Sequence, residues 1–328
     1  MKAELFLAAL LLATIASLSA PAAARERPDA AELLVAALSS PATGYEAQGR
    51  IQSFAPGRKP RALGMTVYFL PDGRLRREVR ASPRKPAEQV YIEDGGRREL
   101  YWPALATAWK GTVTHESAAD RAARLLALYS VSVSTGGRVV KRATWRLDLR
   151  GPDGVLRRAY WVDRAEGLLL KCEEYRPDGS LLRRERLTAL GAARPDQGLF
   201  RLDLPPDTPV ASLTAPRGAA VPGAGFPRWI PDGFLALESR TEDSGRSYVV
   251  GYGDGVETFE LRQTLGAKPD GGETSGRTVR LKNGGRGVLG READGSRLTF
   301  QAGGRAYAIS GEIPEDEMMR VADSLATP

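Results

Sequence analysis

Cysteine and histidine are almost missing from this chain of 328 residues, which has one of each, Cys172 and His115. A single cysteine excludes an intrachain disulfide and a zinc site built on cysteine pairs. A single histidine excludes multi-histidine metal centres and leaves histidine catalysis one candidate. Aromatic residues are few, at 7%. Beyond residue 24 no apolar run is long enough to cross a bilayer. A large excess of one charge is absent too: 47 Lys and Arg face 40 Asp and Glu, a net charge of +7. Charged residues make up 27% of the chain, near the globular average of about 25%, which excludes an acidic disordered tail protein. Glycine and proline are plentiful, at 36 and 22, and so many turn formers suit a β-rich fold.

Residues 1–24 read as a secretory signal peptide. Lys2 precedes the apolar run Leu5 to Leu18, and Pro21-Ala22-Ala23-Ala24 supplies the small residues of a cleavage site after Ala24. The run is shorter than the ~20 apolar residues that span a membrane. No cysteine lies near the cut to carry a lipid anchor. The mature chain is therefore expected to be exported and soluble. A lone thiol fits an oxidising compartment, and nucleic acid is not an expected partner there.

Most of the remaining chain reads as antiparallel strands. Leu63, Met65, Val67 and Phe69 alternate with Gly64, Thr66, Tyr68 and Leu70. Pro71-Asp72-Gly73 then turns the chain, with proline pre-setting φ and glycine accepting a positive one. Pro-Asp-Gly recurs at 152–154 and 177–179 between further strand-like runs, and again at 231–233 and 269–271. Other strand-like stretches are 89–93, 98–102, 144–150, 155–162, 167–175, 180–187, 248–252, 256–263, 278–281, 287–291, 297–301 and 305–310. Three helices are expected. One starts at Asp29 and stops at Pro41, one opens at Ser117 and Asp120, and one follows Pro314 with Glu315, Asp316 and Glu317 in its first turn. Between Pro205 and Pro227 the composition shifts to Pro, Gly and Ala, which predicts a linker without regular structure. The fold class is thus α+β, mostly antiparallel β, with a large domain over 25–204, a linker over 205–227 and a small α+β domain over 228–328.

The search for chemistry finds no constellation. His115, in Val113-Thr114-His115-Glu116-Ser117, has no nucleophile or orienting acid proposed by the sequence. Cys172 shares a strand face with Leu168 and Leu170 and reads as a core or cavity-wall residue. Gly251-Tyr252-Gly253-Asp254-Gly255 lies between two strands with no helix following, so it reads as a hairpin turn, not a phosphate loop. Glu173 and Glu174 are strand neighbours and face opposite sides. The expectation is a binding protein, not an enzyme, with no cofactor and no metal. Aromatic pairs at Tyr68/Phe69, Tyr101/Trp102 and Tyr160/Trp161 put large side chains on both faces of strands. One face can line a groove, or both can be buried under helices. The arginines at 74, 76, 77 and 80, at 157 and 158, and at 183, 184 and 186 suit either solvated sheet faces or an anion site for lipid phosphates or an acidic partner.

Two stretches carry a resemblance. Tyr160-Trp161-Val162-Asp163 through Gly167-Leu168-Leu169-Leu170, followed by Pro177-Asp178-Gly179, resembles the "W-x-D-x-x-x-G-L-x-L" strand pair of the LolA-like lipoprotein-carrier superfamily, which includes the MucB/RseB regulators. Tyr91-Ile92-Glu93-Asp94-Gly95 with Tyr101-Trp102-Pro103, and Leu199-Phe200-Arg201-Leu202, look like its upstream hairpin and closing segment. Trp229-Ile230-Pro231-Asp232-Gly233-Phe234, Asp254-Gly255 with Phe259, and Gly311-Glu312-Ile313-Pro314 with Ala322-Asp323-Ser324-Leu325 resemble the small domain of MucB/RseB. Tyr252-Gly253 departs from that family's "Y-S", and the glycine-rich stretch 266–287 diverges.

The resemblance implies a curved LolA-like half-barrel with helices on its concave face, and a small sheet with a C-terminal helix. It implies a periplasmic negative regulator of an extracytoplasmic-function sigma factor. Such a protein binds the periplasmic domain of a membrane anti-sigma factor and senses lipid or lipopolysaccharide through an apolar cavity. The alternative is a periplasmic lipid or lipoprotein carrier, which does not need the small domain. A homo-oligomer is compatible with either. The residues expected to face lipid are Met65, Val67, Phe69, Tyr101, Trp102, Leu147, Leu149, Trp161, Leu168 and Leu170.

Overall fold

The computed structural model describes residues 27–82, 84–112, 116–214, 225–242, 246–266, 276–282, 284–292 and 295–325. The expected signal peptide, His115 and the Pro-Asp-Gly at 269–271 lie outside them, as does 215–224 of the expected linker.

After α1 (Ala30–Leu38) come β1 (Tyr45–Ser53), β2 (Arg61–Phe69), β3 (Leu75–Arg80), β4 (Gln89–Asp94), β5 (Arg97–Trp102) and β6 (Thr107–Thr112). Then follow α2 (Ala118–Leu128), β7 (Ser130–Val139), β8 (Arg142–Arg150), β9 (Leu156–Asp163), β10 (Leu169–Tyr175) and β11 (Leu181–Ala192). A short β12 (Val210–Thr214) leads to β13 (Leu235–Glu242), β14 (Ser247–Gly253), β15 (Thr258–Leu265), β16 (Gly276–Arg280), β17 (Arg286–Glu292), β18 (Gly295–Ala302), β19 (Arg305–Gly311) and α3 (Glu315–Ser324).

Side-chain caps start the first two helices. Asp29 accepts from the Ala31 and Glu32 amides at 2.7 and 3.2 Å, and Ser117 accepts from the Asp120 amide at 3.0 Å. In α3 the acidic first turn, Glu315 to Glu317, suits the positive end of the helix dipole. The Pro-Asp-Gly turns join β2–β3, β8–β9 and β10–β11, each an antiparallel pair. Their glycines take φ of +92°, +75° and +78° at 73, 154 and 179, a region that side-chain-bearing residues avoid.

The strands form one open sheet that does not close into a barrel. An N-terminal ladder runs β7-β8-β9-β10-β11-β1-β2-β3-β4-β5-β6. A C-terminal ladder runs β13-β14-β15-β19-β18-β17-β16. All these pairs are antiparallel. Between them lies β12, parallel to β6 and antiparallel to β13. The expectation that 205–227 lacks regular structure is therefore corrected at 210–214. No proline falls between 209 and 216, so the amides of Val210 to Leu213 are free to pair beside Ala108 to Gly111. Strands β1, β6, β7 and β13 were not expected. In β1 the buried positions are Ala47 and Ile51 with Gly49 between them, so the period-two signal is diluted. In β13 Leu235 and Leu237 are exposed, which reverses the usual sense of the pattern.

Helices α1 and α2 cover one face of β7 to β9. Leu33, Leu34, Ala122, Leu125 and Tyr129 pack there with Val133, Leu147, Leu149, Tyr160 and Val162. Helix α3 closes the second core, where Met318, Val321 and Ala322 meet Phe259, Leu261, Leu298, Phe300 and Ile309.

Candidate functional site at the junction of the two ladders

Strand register settles which expected site residues share a face. Leu147 lies opposite Tyr160, Tyr160 opposite Cys172, Cys172 opposite Glu185, Glu185 opposite Ile51, and Ile51 opposite Leu63. Side chains alternate along each strand, so Leu147, Leu149, Met65, Val67 and Phe69 all lie on this inner face. The same chain of partners through Arg77, Tyr91 and Leu100 puts Trp102 there too. Trp161 and Tyr101 lie on the reverse face. Trp161 is opposite Arg146 and Lys171, and both cations sit over its ring, at 4.9 and 3.5 Å from the centroid. Tyr101 is opposite Val90 and packs in a separate cluster with Ile92 and Phe200.

These residues are packed rather than open. Leu147 and Leu149 are fully buried beneath the helices. Met65, Val67, Trp161, Leu168 and Leu170 belong to a second cluster with Ala47 and Leu187. Phe69 stacks on Tyr45 at 5.3 Å, and Trp102 meets Trp109 edge-on at 5.2 Å. A cavity of about 410 Å³ is lined by Ile92, Asp94, Arg97, Glu99, Lys110 and 200–202. Another of about 130 Å³ lies between 176–178 and Arg291, 295–296 and 311–315. Neither is lined by any of the ten expected lipid-facing residues.

The inner face carries an island of charge among its apolar residues. Arg77 pairs with Glu185 at 2.6 Å, and Arg183 pairs with the same carboxylate. Arg158 pairs with Glu174 at 3.2 Å and approaches Glu312 of the C-terminal ladder at 4.0 Å. Buried charges are tolerated only when paired. Burial alone would push the Glu185 carboxyl up, but Arg77 and Arg183 hold it below the usual carboxylate range. On the reverse face Glu173 takes Lys171 at 2.9 Å and Arg184 at 2.6 Å, so Glu173 and Glu174 do face opposite ways.

The turn between β14 and β15 docks beside this island. Val256 is buried in the cluster formed by α1, α2 and β7 to β9. Asp254 folds the turn by accepting from the Val256 and Glu257 amides at 2.7 and 2.8 Å. Its second oxygen accepts from the Tyr129 hydroxyl at the end of α2. Arg121 and Arg158 donate to the Gly255 carbonyl at 3.3 and 3.2 Å, and Arg124 donates to that of Asp254. Gly255 takes φ of +98°, a conformation that favours glycine, and a Cβ there would lie 3.2 Å from Arg121 Nε and press on that side chain. Glu257 pairs with Arg157 Nε at 2.9 Å. Burial pushes its carboxyl up to about 7, Arg157 opposing and Asp254 adding to the shift. Burial and the neighbouring Glu174 push Glu312 up to about 8, against the pull of Arg158. Burial also raises the Cys172 thiol, so it is an inert wall residue on this face.

Tyr129, Asp254, Val256, Glu257 and Glu312 were not singled out as a site from sequence. Asp254-Gly255 read only as a turn, which it is, and no sequence signal pairs it with α2.

No family model matches the chain, and no curated protein matches it. Solved structures do. The complex of MucA and MucB from Pseudomonas aeruginosa covers 92% of this chain and 99% of the matched one, at 19% identity and a TM-score of 0.58. The chain has the fold of MucB. A structure of MucB in complex with MucA(peri) covers 91% of this chain and 99% of its own at 20% identity and a TM-score of 0.53. MucB alone covers 92% and 98% at 17% identity and 0.52. The likeness to MucB therefore runs through both ladders, so the C-terminal ladder is part of the shared fold. Among the described residues no helix is long and apolar enough to cross a membrane. No group of three or more His, Cys, Asp or Glu among them could hold a metal ion.

Proposed function

We propose that this chain is a periplasmic regulator that binds the periplasmic segment of a membrane anti-sigma factor and so restrains an extracytoplasmic-function sigma factor. The observation that carries this is the match, along nearly the whole length of both chains, to MucB solved together with MucA. A carrier that only shuttles lipid has no use for the C-terminal ladder. The apolar leader before Ala24 supports export, and the two domains, 25–204 and 228–328, supply two surfaces for one polypeptide.

Lipid or lipopolysaccharide sensing is the finer part of the same reading. A ligand shifts the bound and released forms only by its different affinity for them. Met65, Val67, Phe69, Trp102, Leu147 and Leu149 share the inner face, which supports an apolar route. Leu147 and Leu149 are covered, so hydrocarbon reaches them only when α1, α2 or Val256 gives way. Each buried methylene is worth about 0.8 kcal/mol, so a few of them outweigh the loss of one such contact.

Native purification from the periplasm, with mass spectrometry of intact complexes, tests both parts. The reading expects a co-purifying anti-sigma fragment, and added lipopolysaccharide to displace it. An empty protein that retains no partner counts against it.

A further inference from the structure

The two ladders meet through main-chain bonds at β12, through side chains at the 254–257 turn, and through the Arg98–Glu238 and Arg291–Asp178 ion pairs. The second contact is built from groups whose charge can change. Glu257 faces Arg157 of β9, the Tyr129 hydroxyl at 3.5 Å, Asp254 of its own turn, Arg158, and Glu317 of α3. Arg157 is already held by Asp153 of the β8–β9 turn at 2.7 Å. Glu312 faces Arg158, Glu174 of β10, Glu257 of the turn and Arg183 of β11. Arg183 in turn shares Glu185 with Arg77. Arg121 donates to a turn carbonyl, and Arg124 does so while also pairing with Glu116. Carboxylates thus outnumber the guanidinium groups left to neutralise them, in a place shielded from water.

We propose that Glu257 and Glu312 form a proton-operated latch between the two ladders: with both carboxyls neutral the 254–257 turn stays seated against α2 and β9, and with both ionised it lifts away. The latch belongs to the free chain and does not depend on any partner. Its sign follows from burial. The seated form holds these protons up to about pH 7 and about pH 8, whereas an exposed glutamate releases its proton near 4.5. The seated form therefore binds more protons across that window. Seating is strongest below about pH 4.5 and is lost as pH rises through 7 to 8. Glu317, also raised by burial and by Asp316 and Asp232 against the pull of Arg320 and Arg157, acts in the same direction.

Amide hydrogen exchange of the protein at about pH 5.5 and about pH 8.5, corrected for intrinsic rates, reads the latch. Protection of the Val256 and Glu257 amides is expected to fall by more than about tenfold at the higher pH. A Glu257→Gln, Glu312→Gln variant is expected to keep its protection at both. Equal protection of the wild type at both pH values overturns the proposal, as does a variant that keeps the pH dependence. Should the variant not fold, carbon-13 titration of the wild-type carboxyls decides: midpoints at or above about 6.5 support the latch, and lower ones overturn it.

Discussion

The Tyr129 hydroxyl, at the C-terminal end of α2, donates to the carboxylate of Asp254 on the β14–β15 turn, and both groups are buried. The bond joins residues 125 positions apart and ties the helix layer of one ladder to the tip of the other. Tyr129→Phe leaves a buried acceptor short of one donor. It is expected to destabilise the protein by about 1–3 kcal/mol, read as a lower urea midpoint with an unchanged slope.

Val256 is 1% exposed and packs with Leu125, Tyr129 and Leu149. Val256→Ala removes two methyl groups from a core shared by both ladders, at a cost of about 1–3 kcal/mol. The expected signature is faster hydrogen exchange in α2 as well as in the turn. A loss confined to the turn would show that Val256 does not support the helix.

Strand β12 is the main-chain bridge between ladders. An Ala211→Pro, Ser212→Pro variant removes amides from it, whichever neighbour they serve. Calorimetry is expected to resolve the melting of the two ladders into separate transitions. Retention of one cooperative transition would assign their coupling to the side-chain contacts between them.

Asp163 closes the turn between β9 and β10, accepting from Arg142 at 2.8 Å and from the Glu166 amide at 2.9 Å. Burial alone would raise its carboxyl, but these partners hold it below the usual value of 3.8. A carboxylate depressed in the folded state contributes stability above its unfolded pKa and loses it as pH falls through the folded one. Wild-type stability is therefore expected to drop below about pH 4. Asp163→Asn is expected to be less stable at neutral pH and to lose less on acidification, measured by urea midpoints across that range.

Turn chemistry and caps were legible in the sequence because each rests on local residues. Pro-Asp-Gly gave three hairpins, and Asp29 and Ser117 gave two helix starts. The faces were harder. Trp161 differs from Leu147 only in which way a strand alternation points, and a shift of one residue reverses that. Trp161 was grouped with Leu147 because both are apolar, yet its neighbours are Arg146 and Lys171. The junction was not legible at all. Asp254 and Tyr129 are distant in sequence, and each alone looks like an ordinary turn residue and an ordinary helix-end aromatic. β12 was hidden because prolines at 205, 206 and 209 mask five residues that can pair.

The central claim is partner binding, and titration calorimetry tests it most directly. The protein is titrated with the periplasmic segment of the membrane anti-sigma factor encoded in the same genome. The account predicts a one-to-one complex with a Kd of about 1 µM or tighter. No heat of binding, with free segment recovered intact by gel filtration at about 100 µM of each protein, would contradict it.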